Sequence, residues 1–152
     1  MTEQRPRIKV GGFDEWTDSF KSEVVFKRPE GDMVITINAI SDSDRMEISE
    51  IHKELSPPRP RLVLDKRTGE PVTNKVNHDA DVEYEKKKNF AYRVLQMLYI
   101  EKGCSWNIPG KNNEEKLAAL GKKVAGEVDR LHTAILALSR LTNDDIDFFS
   151  NG

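Results

Sequence analysis

The chain has 152 residues, 37% hydrophobic and 33% charged, with 24 Lys+Arg against 26 Asp+Glu, the composition expected of one soluble domain with a single core. A net charge of -2 argues against a nucleic-acid surface, which must neutralise several phosphates. The longest apolar stretch, around Val94–Ile100, falls far short of the roughly 18 apolar residues of a membrane span. Cys104 is the only cysteine, so an internal disulfide is excluded; with Met1–Val10 polar and basic, the expected compartment is a reducing cytoplasm.

Residues 1–22 have no clean period and form an expected N-terminal arm. Its Trp16 and Phe20 lie one helical turn apart and are expected to pin the arm to the core. A mainly helical domain is expected over 23–152. It opens with two β-branched runs, Glu23–Arg28 and Met33–Ile40, flanking the turn Pro29-Glu30-Gly31-Asp32, which is a hairpin signal. Ser41 followed by Asp44 marks a capped helix start, and Pro57-Pro58 a stop, giving a helix over Asp42–Leu55 with Met46, Ile48, Ile51 and Leu55 inward. Residues 56–78 are a Pro-rich connector in which Arg61–Asp65 and Glu70–Thr73 are candidates for a minor hairpin.

The longest helix is expected over Asp79–Lys102, acidic at its start and stopped by Gly103, with Phe90, Val94, Leu95, Met97 and Leu98 buried. Asn112 and Glu115 predict a capped short helix to Gly121. In the last helix, over Lys122–Leu141, Val124, Val128, Leu131, Ile135 and Leu138 recur at spacings of four and three as one apolar seam. Thr142 and Asp145 open a final turn bearing Phe148 and Phe149. The fold class expected is α+β and predominantly helical: an N-terminal β-hairpin packed on a small helix bundle.

The residues offer no catalytic constellation. His52, His78 and His132 have no metal-ligand spacing to one another or to Cys104, and Gly11-Gly12 lacks the Lys-Ser/Thr of a phosphate loop. The abundant carboxylates are helix-start acids and i,i+4 partners. No catalytic, metal or cofactor residue is therefore assigned, and a non-enzymatic binding protein is expected.

Three stretches together resemble the tail assembly chaperones of long-tailed bacteriophages. They are Val34–Ile40 continuing into Ser41–Glu47; Pro60–Leu64 through Gly69, Asn77, Asp79 and Tyr84; and Leu120–Lys123 with Val128–Leu131 and Ala137–Asp145. The chain departs from the commoner family form at Phe148-Phe149, where acids and small residues are usual. The resemblance implies a cytoplasmic protein of the infected host that keeps the tape-measure protein soluble, helps recruit tail-tube subunits and is absent from the mature virion. It also implies self-association and a longer frameshifted form that engages the tail-tube protein. Asp147-Phe148-Phe149 can be encoded as GAU UUU UUC, a slippery run where the family places one. On this reading Val124, Val128, Leu131, Ile135, Leu138, Phe148 and Phe149 are the candidate partner-binding residues. The competing readings are a tail-completion or connector subunit of the virion and a cellular helical adaptor.

Overall fold

The computed structural model describes residues 5–17, 20–58, 66–67 and 78–141, with the side chains of 78–81 left aside. The fold is α+β and mainly helical: strands β1 (Lys21–Arg28) and β2 (Gly31–Asn38), then helices α1 (Asp42–Leu55), α2 (His78–Cys104), α3 (Asn113–Leu120) and α4 (Ala125–Leu138). The expected minor hairpin in the connector, and the final turn with Phe148 and Phe149, lie outside the described residues.

The hairpin is tighter than its sequence suggests. Arg28 pairs with Gly31, so only Pro29 and Glu30 connect the strands, and Gly31 and Asp32 belong to β2. Gly31 makes this possible with φ 141°, a conformation that residues with a Cβ rarely adopt. At the other end Ala39 N–H still donates to the Phe20 carbonyl, whereas Ile40 N–H donates to Ser139 Oγ at 2.8 Å and leaves the sheet. Alternation puts Val24, Phe26 and Ile37 into the core and leaves Val25 and Val34, which face each other, on the outer surface.

Helix α1 has the bounds its cap and prolines predict: Ser41 Oγ accepts from Asp44 N–H, and Ser56 Oγ donates to the His52 carbonyl. Ile48 is buried and Ile51 and Leu55 pack beside it, but Met46 is exposed and not part of the inner face. Lys102 on α2 reaches Asp44 and Glu47 on α1, at 3.6 and 3.7 Å.

Helix α2 runs through Gly103 instead of stopping before it. The glycine serves packing: a Cβ there would stand 2.6–2.8 Å from three side-chain carbons of Ile135 on α4. Termination falls to Ser105, at φ 54°, with Ser105 N–H donating to Lys102 and Trp106 N–H to Glu101, a Schellman closure. Arg140, at φ 60°, ends α4 the same way, through Leu141 N–H to Leu136. Helix α4 begins at Ala125, not at Lys122, because the Lys122 and Lys123 N–H groups donate back to the last carbonyls of α3 and Val124 is extended. The hairpin, α2 and α4 share one core centred on Phe26, Ile37, Val94, Met97, Ile100 and Ile135.

Candidate functional site

Two surface features stand out. The first is the arm, where Ile8, Val10, Phe13 and Trp16 are all exposed; Phe13 is 85% and Trp16 69% exposed. With Trp16 and Phe20, 44% exposed, both open to water, the expectation that these two aromatics pin the arm to the core is overturned. A short 3-10 turn, Phe13–Glu15, presents Phe13 and Trp16 side by side, ring centres 6.3 Å apart and nearly perpendicular. The turn is held by the arm's own groups: Glu15 N–H donates to the Gly12 carbonyl and the Glu15 carboxylate accepts from Gly11 N–H. The two rings leave an apolar surface exposed to water.

The second is an open groove of about 450 Å³ between β1 and the start of α4, lined by Val25, Phe26, Lys27, Val124, Gly126, Glu127 and Arg130. Beside it Arg28 and Glu127, 99 residues apart, join β1 to α4: Arg28 Nε donates to Glu127 Oε2 at 3.0 Å and Nη2 bridges Oε1. The hydrogen bond from Arg28 holds the Glu127 carboxyl below the usual range. The Arg130 guanidinium lies over the Phe26 ring, 5.5 Å from its centre. A Cβ at Gly126, one of the lining residues, would meet nothing within 4 Å.

Of the candidate partner-binding residues, only Val124, 56% exposed, lies on this surface. Val128, Leu131 and Ile135 are buried and Leu138 packs against them, so the seam is consumed by the protein's own core. Phe148 and Phe149 lie outside the described residues.

Burial pushes the Cys104 thiol up to about 11, so it is protonated at neutral pH. His132, on α4, packs against the rings of Tyr92 and Tyr99 on α2, and its buried Nε2 has no hydrogen-bond partner among the described residues. Beside it a polar chain crosses from α2 to α4, with Arg93 Nη1 donating to Gln96 Oε1 and Gln96 Nε2 donating to Asp129 Oδ1. Among the described residues no group of three or more His, Cys, Asp or Glu is placed to hold a metal ion, and no helix is long and apolar enough to cross a membrane.

No protein-family model, curated protein or solved structure matches this chain.

Desolvation lowers the His132 pKa below 6.5, and the nearby Asp129 carboxylate opposes this only in part. The unfolded chain therefore binds the proton first as pH falls, so the stability from neutral His132 is complete above pH 6.5 and declines below it. Urea unfolding between pH 7.5 and 5 should show this loss, and His132→Phe, which keeps an aromatic ring against Tyr92 and Tyr99, should flatten the slope. An unchanged slope in the variant would assign the acid sensitivity elsewhere.

The groove was not legible in the sequence because its walls meet only through the tertiary fold. The arm's aromatics were visible, but their exposure was not.

Proposed function

We propose that this protein is a tail assembly chaperone of long-tailed bacteriophages, working without covalent chemistry to keep the tape-measure protein soluble until tail-tube subunits surround it. The reading rests on the three stretches of sequence that resemble that family. The structural observation in its favour is the arm, which offers Ile8, Val10, Phe13 and Trp16 to water beside a heavily charged body. The adjoining Phe13 and Trp16 rings are contiguous exposed apolar surface of the kind binding sites use, and the surrounding charge keeps a protein soluble while it carries a client. A long amphipathic client helix would lay its apolar stripe across the Phe13 and Trp16 faces.

The test is co-expression with a tape-measure protein that precipitates when made alone. The full chain should keep it in the soluble fraction, and Phe13→Ser with Trp16→Ser should abolish this without altering the circular dichroism of the chaperone. A client equally insoluble with and without the chain would refute the proposal, and recovery of the chain from purified virions would favour the tail-subunit reading. Expression from native codons with downstream DNA should also yield a minor longer product diverging near Phe148-Phe149.

A further inference from the structure

We propose that β1 is a self-recognition edge: a second copy of this chain adds its own β1 antiparallel to it, Val25 opposite Val25, making a four-stranded sheet across a two-fold axis. This pairing stands apart from the client-holding reading and does not depend on it.

The register of the hairpin determines which backbone groups are free. With a two-residue connection, Arg28 and Gly31 form the closing hydrogen-bonded pair, and alternate pairs inward of it, Phe26–Met33 and Val24–Ile35, exchange bonds within the hairpin. The N–H and C=O groups of Glu23, Val25 and Lys27 therefore point away from β2. No hydrogen bond to them is made among the described residues. A partner strand must engage these three.

The side chains then select the register. Centred on Val25, Glu23 stands opposite Lys27 of the second copy and Lys27 opposite its Glu23, so both ion pairs flank a Val–Val contact on the outer face. All three side chains are exposed, and neither Glu23 nor Lys27 has an ion-pair partner among the described residues. Shifting the centre to Glu23 or Lys27 sets like charges against each other, and the Lys27 centre also brings Val25 opposite Pro29, which has no N–H. A centre on Val24 sets Lys21 opposite Lys27, and a centre on Phe26 sets Glu23 opposite Pro29, which has no N–H to give, so neither register offers a charge match. On β2 the corresponding centre, Val34, pairs Asp32 with Thr36 and offers no charge match.

The surroundings accommodate an added strand. The groove beside β1 is open, and at Gly126 the missing side chain leaves room for an approaching backbone. Exposed Val124 would be covered in the same step. Charges on an edge strand commonly repel a second strand; here their order along β1 is self-complementary, and because the contact is isologous it closes at the dimer instead of extending into a fibre.

Sedimentation velocity of the full chain from 1 to 100 µM should show a concentration-dependent dimer. Glu23→Lys and Lys27→Glu should each weaken it about tenfold or more, since two attractive cross-strand pairs become repulsive. The double variant carrying both changes should restore it, because the pairs are inverted and not lost. Circular dichroism checks the fold of each variant, which matters for Lys27→Glu because Asp32 faces it in the hairpin. A monomer throughout the range, or a dimer indifferent to the single changes, would overturn the proposal. So would a double variant as weak as the singles.

Discussion

Ile135→Ala should destabilise the protein by about 3–5 kcal/mol, and Gly103→Ala by about 1–3 kcal/mol, yet the two together should cost clearly less than their sum. Ile135 is fully buried, and its side chain fills the space over Gly103 where α4 crosses the end of α2. Truncating it removes three carbons and leaves a cavity, because the surrounding Met97, Ile100 and Leu131 belong to packed elements that relax only partly. Gly103→Ala fails for the opposite reason. Its new methyl would stand 2.6 Å from Ile135 Cδ1, and a β-branched side chain held on all sides has few rotamers to yield with. The gain of about 1 kcal/mol in helix propensity offsets only part of that overlap. In the double variant the methyl occupies part of the cavity. Urea unfolding of all four proteins gives the coupling energy directly; strict additivity would mean that the two residues do not share one space.

Glu101→Ala is the second large effect, expected at about 2–3 kcal/mol. The Glu101 carboxylate is 11% exposed and makes two kinds of bond: Oε2 accepts from Ile108 N–H at 3.0 Å and from Lys116 Nζ at 3.1 Å. One side chain on α2 thus holds the loop between α2 and α3 and the flank of α3 itself. Removing it strands the N–H of buried Ile108 and leaves Lys116, 24% exposed, without its counter-ion. Glu101→Gln keeps an oxygen for Ile108 and should cost about half as much. Hydrogen exchange at the Ile108 amide separates the two contributions: protection should collapse in the alanine variant and persist in the glutamine variant. Full protection in Glu101→Ala would show that the loop is held by burial of Ile108 alone.

Much of this fold is local chemistry and was legible. Ser41 capping the Asp44 N–H and the prolines after Leu55 bound α1 at both ends, and of the stripe expected on α2, Phe90, Val94, Met97 and Leu98 join the core whereas Leu95 is not among its residues. The misreadings share a cause, which is that a residue's local meaning was overridden by a distant neighbour. Gly103 reads as a helix stop but is present so that Ile135 can approach. Lys122 and Lys123 read as the first turn of α4, but their N–H groups close α3. Val124 continues a heptad pattern and yet is exposed, because the chain is extended there and the pattern begins in space at Val128. The groove depends on Arg28 meeting Glu127 across 99 residues, and no periodicity carries that pairing.

That same separation governs how the molecule is born. Ile40 N–H finds Ser139 Oγ, and Arg28 finds Glu127, each 99 residues further along the chain. At a translation rate of about 5–20 residues per second, the hairpin emerges some 5–20 s before the helix that covers its inner face. A two-stranded ribbon is marginal in water by itself, so Val24, Phe26 and Ile37 wait, half-sheltered at best, while the remainder is synthesised. Commitment to the native state comes late, when α4 leaves the ribosome and closes over strands made at the beginning.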